Sequence, residues 1–361
     1  MKFKILLITL LFPFIAFSQA VVQDSVYGNV KSVREKLYFL DSIQQNLKLF
    51  STEDEYGHNG FMSRDYTTSR FNTLWYKTPW VHYQNYLKEY DTLHKLVRET
   101  WYYKNNELLT TYEFKYNKEG KIIEEKEIDG EYINVTQKGY DYKNRLRSIY
   151  RYFSEVGFNF KSIEYNKEDL VDTEEYFMDN EGKTSQWRYE YNDGKQVRAY
   201  ILKPYKLVES EDPKRKKMVQ GYWTEYLRYE YEYDERGNKT LIKSYESQME
   251  GSTGQPSKYY LKYDKNNNVV SEKDGLSEWT FKYDNNNDLL EQQHTYDNKI
   301  QISAMHAYKN NVLVKLVYTE AGVTSTATYT YRFDKFDNWT EQTKSINGKP
   351  LYIRKREIVY Y

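Results

Sequence analysis

The chain contains no cysteine, which excludes a disulfide framework, a thiol nucleophile and a cysteine for lipid attachment. It also has no excess of either charge, because Lys+Arg and Asp+Glu both number 53. Proteins that bind nucleic acid present a net basic surface, so the balanced charge argues against that class. Beyond the N-terminus, no apolar run approaches the length of a membrane-spanning helix.

Aromatic residues are abundant instead. The 361 residues include 41 tyrosines, 16 phenylalanines and 7 tryptophans. Flat rings suit the pleated, half-buried surface of a sheet, whereas the helix formers alanine and leucine are sparse. An intrinsically disordered chain would lack these aromatics. The composition therefore predicts an all-β protein.

The N-terminal stretch MKFKILLITLLFPFIAFSQA has the pattern of a secretory signal peptide. Lys2 and Lys4 are followed by the apolar run Ile5–Phe17, which is too short to span a bilayer comfortably. Ser18 and Ala20 are small residues, so we expect residues 1–20 to be removed, with cleavage after Ser18 as the second choice. Export to the periplasm or beyond follows. The alternatives are a buried strand or an uncleaved anchor.

A motif of one aromatic residue followed by a polar turn recurs along the chain, mostly at intervals of roughly 10 to 15 residues, as expected for one strand plus one turn. Asp or Asn after the aromatic residue can bond the backbone two residues on, and Gly or Asn suits the left-handed position. The same chemistry predicts that Asn266–Asn268 and Asn285–Asn287 are turn residues rather than recognition residues. The strongest instances are YNKEGKI at Tyr116, YDERGNK at Tyr233, YDKNNNV at Tyr263, YDNNNDL at Tyr283 and FDKFDNW at Phe333.

Between the turns, aromatic residues alternate with Glu, Lys, Arg and Thr, as in Leu227, Tyr229, Tyr231 and Tyr233. Period two puts one set on each face, so we expect an antiparallel meander with one aromatic and one charged face. Roughly two dozen such strands would not stay flat, which predicts a curled or partly closed single-layer sheet. The prolines at 204 and 213 oppose strand pairing, so we expect a loop insertion near 203–221.

These motifs resemble the YD-repeat, or RHS-repeat, family, whose unit is Y-x-Y-D-x-x-G-x followed by a strand, a short turn and a returning strand. The resemblance is good from Tyr229 to Tyr361 and weaker from Tyr86 to Tyr200. The tail INGKPLYIRKREIVYY is similar to the ends of small secreted YD-repeat proteins of the Bacteroidota type. Unlike large RHS proteins, the chain shows no self-cleaving core segment and no toxin domain. The resemblance implies a β-sheet scaffold that binds something at or beyond the cell envelope, and some relatives are described as carbohydrate-binding.

Residues 21–85 break this rhythm. YGNVKSVREKLYF resembles the opening strand of the same family, and DSIQQNLKLF lacks alternation, so we expect a short helix or loop there. The irregular segment that follows carries candidate binding aromatics, which could stack on sugar rings or seat a partner protein. The alternative is that these rings cap the open end of the sheet formed by residues 86–361. The candidates are Phe71, Trp75, Tyr76, Trp80, Tyr83 and Tyr86.

Catalytic and metal-binding patterns are weak. Glu230 and Glu232 would lie on one strand face about 6.6 to 7 Å apart by strand rise, within the range of glycosidase carboxylates. The alternation favours solvated charges with cross-strand Lys and Arg partners instead. His294 and His306 could be neighbours on adjacent strands, but a metal site needs further ligands, and neither HExxH nor a Gly-x-Ser-x-Gly elbow occurs. The basic run KRKK at 214–217 is expected to be a solvated loop.

The sequence thus predicts a secreted, non-catalytic β-repeat scaffold that needs no cofactor or metal. Its partner would be a polysaccharide or an envelope protein. The alternatives are a glycan-active hydrolase that uses sheet carboxylates, or a partner protein beside a toxin.

Overall fold

The computed structural model of the protein describes residues 26–40, 84–103, 105–179, 181–209, 216–245, 255–310 and 312–361. These residues form one 22-stranded sheet in which every pairing is antiparallel. The strands are β1 Val30–Phe39, β2 Asn85–Tyr90, β3 Leu96–Tyr102, β4 Leu108–Tyr116, β5 Ile122–Asp129, β6 Tyr132–Tyr140, β7 Leu146–Phe153, β8 Gly157–Tyr165, β9 Val171–Met178, β10 Gly182–Asn192, β11 Lys195–Glu209, β12 Lys216–Tyr233, β13 Lys239–Ser244, β14 Ser257–Tyr263, β15 Val269–Asp274, β16 Ser277–Tyr283, β17 Leu289–Tyr296, β18 Lys299–Lys309, β19 Val312–Glu320, β20 Val323–Phe333, β21 Trp339–Ile346 and β22 Lys349–Tyr360.

The sheet is a closed barrel, which corrects the expected curled or partly closed sheet. From β2 to β22 each strand pairs with its neighbour in sequence, and β1 pairs with both ends of this meander. Leu37 lies opposite Arg354 of β22, and Lys36 lies opposite Asn85 of β2. The repeat pattern could not show this closure, because it depends on a strand far from β22 in sequence that satisfies both open edges.

The junction of β1 with its two neighbours contains a buried ionic network, here called the closure network. Arg354 donates from Nε to Oε1 of Glu35 at 3.0 Å, and Arg356 donates from Nε to Oε2 at 2.8 Å. The hydroxyl of Tyr86 donates to the same Oε2 at 2.6 Å, and Arg354 also bonds Gln342. Each of these side chains except Arg356 is at most 1% exposed. The closure is therefore held by buried, charge-assisted hydrogen bonds as well as by the sheet ladder.

The aromatic face of the sheet is its covered face. One buried cluster extends from β18 through β22 and β1 to β4, and a second extends from β11 to β17. Side chains converge on the concave side of a closed wall and diverge on the convex side, so this deeper burial indicates that the aromatic face lines the interior. Half-buried rings pack around the second cluster and form what is called here the aromatic platform. Its members are Trp187, Tyr189, Tyr229, Tyr233, Tyr259, Tyr263, Trp279 and Tyr283.

Strands β7 to β9 depart from the predicted division into one aromatic and one charged face. Tyr150 pairs opposite Phe160, and Phe160 opposite Phe177, on the face away from the aromatic platform. The rings of Phe160 and Phe177 lie 5.9 Å apart. The platform face carries Lys161 and Glu174 here, joined at 2.7 Å. Aromatic rings thus occur on both faces in this part of the wall, since Tyr176 lies opposite Lys161 on the platform face.

Within the expected loop insertion near residues 203–221, residues 203–209 and 216–221 belong instead to β11 and β12, whereas residues 210–215 lie outside the described part of the chain. Strands β11 and β12 pair as far as Glu209 opposite Lys216. The register shifts between Lys203 and Tyr205, so Pro204 lies at a bulge. A bulge tolerates a residue without a backbone N–H, which is why the proline does not end the strand.

The turns follow the predicted chemistry. Oδ1 of Asp234 accepts from the amide of Asn238 at 2.8 Å, and the carbonyl of Asp234 accepts from Gly237, whose φ is 90°. The turn that begins at Asp264 has the same bonds, with Asn267 in the left-handed position at φ 64°. Turn roles for the aspartates and for Gly or Asn are therefore confirmed.

Neighbouring turns are also joined along the rim of the barrel. Nδ2 of Asn238 donates to Oδ1 of Asn267 at 2.9 Å, and Nδ2 of Asn268 donates to Oδ1 of Asn287 at 2.8 Å. The asparagine runs thus shape each turn and bind it to the next one.

The repeat tyrosine has a structural role that explains its position before the turn. Its ring lies on the aromatic face, and its hydroxyl donates to a backbone carbonyl at the start of the preceding strand. The bond recurs at Tyr116 to Leu96, Tyr140 to Ile122, Tyr165 to Leu146, Tyr191 to Val171, Tyr233 to Gln196 and Tyr263 to Lys239, at 2.7 to 3.0 Å. Tyr331, two residues before the motif residue Phe333, bonds Leu313 in the same way at 2.9 Å.

We expect Tyr263→Phe to lower the free energy of unfolding by about 1 kcal/mol, because it removes one hydrogen bond and leaves the carbonyl of Lys239 without it. Urea unfolding followed by tyrosine and tryptophan fluorescence measures the change. Tyr260→Phe is the matched control, since that ring is 43% exposed and lies on the other face of the same strand. Equal effects of the two substitutions would contradict the structural role of the Tyr263 hydroxyl.

Several expectations fall outside the described residues. They are the signal peptide at 1–20, the helix or loop at 41–50, the residues Phe71, Trp75, Tyr76, Trp80 and Tyr83, and Pro213. Within the part of the chain that the structure describes, no helix is long and apolar enough to cross a membrane.

Candidate binding site on the aromatic platform

A row of three cross-strand neighbours forms the centre of the candidate site. Glu272 of β15 lies opposite Trp279 of β16, and Trp279 lies opposite His294 of β17. The indole and imidazole rings stack with centroids 4.7 Å apart and an interplanar angle of 20°. Nε2 of His294 is hydrogen-bonded to Oγ of Ser277 at 2.9 Å, which fixes the plane of the imidazole. The sheet register thus places a carboxyl group, an indole and an imidazole side by side on one face.

Glu272 has hydrogen-bonding capacity that the protein leaves unused. The side chain is 6% exposed, and its Oε2 accepts from the hydroxyl of Tyr259 at 2.7 Å. Its Oε1 is buried and has no hydrogen-bond partner. Burial raises the pKa of Glu272, and the bond from Tyr259 opposes this shift. A buried carboxyl oxygen without a partner is costly in a folded protein, and such atoms are frequently found at functional sites.

The site reaches the barrel rim through Asp274. This residue is exposed and lies opposite both Tyr259 and Ser277, on the same face as Glu272. Two residues along one strand place the two carboxyl groups roughly 6.6 to 7 Å apart by strand rise. A ligand at this rim would meet Asp274 first and Glu272 deeper in the wall.

Gln292 adds a second unused polar atom to the same face. It lies two residues before His294 on β17 and opposite Phe281. The side chain is 4% exposed, and its Nε2 has no hydrogen-bond partner. Around the Trp279–His294 stack the platform therefore offers one free acceptor and one free donor, the arrangement expected where a few polar groups orient a ligand on an apolar surface.

Of the binding residues predicted from sequence, the described part of the chain contains Tyr86. It is 1% exposed, packs at 5.0 Å against the ring of Trp101 and bonds Glu35 in the closure network. The structure thus gives Tyr86 a place in the wall where the barrel closes. Binding by Phe71, Trp75, Tyr76, Trp80 and Tyr83 stays a prediction.

The carboxyl pair proposed for hydrolysis has the expected cross-strand partners. Arg198 donates from Nε to Glu230 at 3.1 Å, and Lys243 pairs with Glu232 at 3.0 Å. The hydroxyl of Tyr245 donates to Glu230, and this bond together with Arg198 lowers the pKa of Glu230. A general acid needs a raised pKa, so this environment suits a permanently ionised surface charge.

The two histidines considered as neighbours are on adjacent strands, but not side by side. His294 lies opposite Ile302, whereas His306 lies four residues further along β18 and opposite Leu316 of β19. Within the described ranges no group of three or more His, Asp or Glu side chains could hold a metal ion.

Sequence reasoning named His294 and missed Glu272, Asp274 and Trp279 as a group. The missing information was the register in which neighbouring strands pair. The pairing of β14 with β15 shifts by one residue near Tyr263, so counting from the turn does not reveal which face Glu272 occupies.

No protein-family model matches this chain, and no curated protein matches it. Solved structures similar to parts of it include the crystal structure of TcdB2-TccC3-Cdc42, with a TM-score of 0.32 and 8% identity over 74% of this chain and 19% of that one. This chain thus corresponds to about a fifth of that protein. A porin-like protein from Bacteroides uniformis ATCC 8492 matches with a TM-score of 0.27 and 10% identity, over 92% of this chain and 99% of that one. A porin-like protein from Bacteroides vulgatus ATCC 8482 matches with a TM-score of 0.21 and 11% identity, over 66% and 98%. Scores of this size carry no functional conclusion.

The raised pKa of Glu272 makes a prediction about stability. As pH rises from the ordinary glutamate value near 4.5 to the higher folded-state pKa, the unfolded state ionises while the folded state still holds the proton, so the fold loses stability over this interval and the loss persists at higher pH. Glu272→Gln should therefore raise the thermal midpoint at pH 7 by about 1 to 2 °C and leave it unchanged near pH 4.

Differential scanning calorimetry across this pH range measures the effect. Glu291→Gln, which removes a surface carboxylate paired with Lys282, is the control and should show no such rise with pH. A constant difference between Glu272→Gln and the wild type at all pH values would contradict a proton held by Glu272.

Proposed function

We propose that this protein is a non-catalytic binding barrel of the cell envelope that holds carbohydrate against the aromatic platform. The supporting observation is the parallel Trp279–His294 stack beside Glu272, whose Oε1 lacks a partner. Pyranose rings present an apolar face and a hydroxyl-lined edge, so an aromatic surface with a few unused polar atoms fits them. Trp279 and His294 are half-buried, which leaves part of each ring available for contact.

The proposed location follows from the predicted signal peptide at residues 1–20, and the proposed kinship with YD-repeat proteins follows from the tyrosine-turn motif. The structure supports that kinship in one respect. At several turns the tyrosine hydroxyl of the motif bonds the backbone of the preceding strand. In such a scaffold the residues between the turns can differ without loss of these hydrogen bonds.

A glycan panel tests the proposal. Full-length protein is titrated by calorimetry with soluble β-1,4- and β-1,3-linked oligosaccharides, and released reducing ends are assayed in the same samples. We expect binding without release, and we expect Trp279→Ala to weaken it at least about tenfold, because an aromatic contact surface is lost. Trp223→Ala is the control, since Trp223 is 42% exposed and sits beside Lys183 away from the platform.

The other outcomes are equally informative. Release of reducing ends would replace the binding role with the hydrolase alternative and direct attention to Glu272 and Asp274, because Glu230 is ion-paired. Absence of binding to every glycan would overturn the carbohydrate proposal and favour a protein partner.

A further inference from the structure

We infer that the site selects carbohydrate that carries a protonated amine, an inference that rests on the proposed function. Glu272 and Asp274 face the same side of β15, with Trp279 and His294 beside them. The geometry points to an amino sugar whose ring stacks on Trp279 and whose ammonium group lies at the two carboxyl groups. A matching neutral sugar would bind the same surface less tightly.

These two carboxyl groups have no ionic partner among the residues that the structure describes. Their cross-strand neighbours are Leu261, Trp279, Tyr259 and Ser277. Other acids of the sheet are matched by bases in several places, as in Lys161 with Glu174 at 2.7 Å. The site is therefore an acidic position without a base of its own, next to aromatic rings.

Gln292 gives independent support for a ligand at this position. Its amide nitrogen is buried, has no partner and lies one cross-strand row away from the Trp279–His294 pair. The amide nitrogen can donate to a ligand hydroxyl or ether oxygen, whereas a cation alone would leave it unused. A ligand with a hydrogen-bond acceptor on the Gln292 side of the stack and a donor on the Glu272 side would therefore satisfy both atoms.

An ammonium group matches this arrangement better than a hydroxyl group. It supplies three donors and no acceptor, which suits a carboxyl oxygen without a partner. A cation close to the face of an indole is also attracted by the ring quadrupole. Binding an ammonium group at Glu272 would favour the ionised carboxylate, so the ligand supplies the countercharge that the protein lacks.

Three oligosaccharides of equal length and identical β-1,4 linkage measure the contribution of the amine to affinity. They are oligomers of glucosamine, of N-acetylglucosamine and of glucose, which differ at C2 in carrying an ammonium, an acetamide or a hydroxyl group. The full chain is titrated with each by calorimetry, below the pKa of the sugar amine. Because a charge-assisted hydrogen bond is stronger than a neutral one by a factor of about two, we expect the glucosamine oligomer to bind about ten- to a hundredfold more tightly than the glucose oligomer.

Glu272→Gln and Asp274→Asn should each remove most of that preference while retaining the weaker binding of the glucose oligomer. Both substitutions preserve side-chain shape, and circular dichroism confirms the fold. Glu291→Gln on the other face should retain the full preference.

Equal affinity for the three oligomers would overturn the amine inference and leave the proposed function standing. A preference for glucosamine that survives both substitutions would overturn the assignment to Glu272 and Asp274. Absence of binding to all three would overturn the inference together with its premise.

Discussion

Replacement of Glu35 by alanine is expected to lower the free energy of unfolding by about 3 to 5 kcal/mol, because it leaves two buried guanidinium groups without their carboxylate. Arg354 and Arg356 are 1% and 5% exposed, so water cannot replace Glu35. Both bond Glu35 directly, and Tyr86 loses the acceptor of its hydroxyl as well. The lost bonds join β1 to β22 and β2, so the substitution weakens the closure of the barrel.

Urea unfolding of the variant measures this loss. Glu357→Ala is the control, because Glu357 is exposed on β22 and should change stability by less than about 0.5 kcal/mol. A combined Glu35→Met, Arg354→Met and Arg356→Leu variant should be less destabilised than Glu35→Ala, since no buried charge is left unpaired. Equal losses in Glu35→Ala and Glu357→Ala would contradict the closure network.

Deletion of residues 1–39, which removes β1, is expected to abolish the soluble monomer. The deletion leaves β2 and β22 with unpaired backbone groups, and unpaired edges of long strands associate with other chains. It also removes Val33 and Leu37, which are 3% and 1% exposed, from the covered face. The remaining strands keep their turn motifs, so association rather than complete unfolding is the expected result.

Size-exclusion chromatography with light scattering measures the association, and a synthetic peptide of residues 26–40 should restore the monomer when added during refolding. Deletion of residues 1–25 is the matched control, because it retains β1. A peptide with Glu35→Ala should restore less monomer than the wild-type peptide. A deletion variant that stays monomeric without the peptide would show that β1 is dispensable for the barrel.

The periodic features were readable from the sequence because they are local. Asp234 and Gly237 build a turn that depends on five consecutive residues, and their bonds are those that the motif predicts. Alternation likewise placed Tyr229, Tyr231 and Tyr233 on one face. Cross-strand partners for Glu230 and Glu232 followed from the same pattern.

The departures arise where a residue's role depends on distant pairing. Pro204 occurs at a bulge in a continuous strand, and only the register of β11 against β12 shows this. Tyr150 and Phe160 belong to the face away from the platform, although the neighbouring repeat tyrosines Tyr140 and Tyr165 bond backbone on the platform side. Glu272 became part of a site because the pairing of β15 with β16 places it opposite Trp279, on the face that it shares with Leu261 of β14.

The sequence by itself determined the strand class, the turn chemistry and the antiparallel meander, since each depends on side chains within a few residues of one another. Only the tertiary structure decided that the sheet closes through β1, that Glu35 is buried between Arg354 and Arg356, and that Glu272, Trp279 and His294 share one row. The physical reason is that a strand pair has many registers of similar local propensity. The register that forms is the one that buries the apolar face and pairs the edge strands, and both conditions depend on the whole barrel wall.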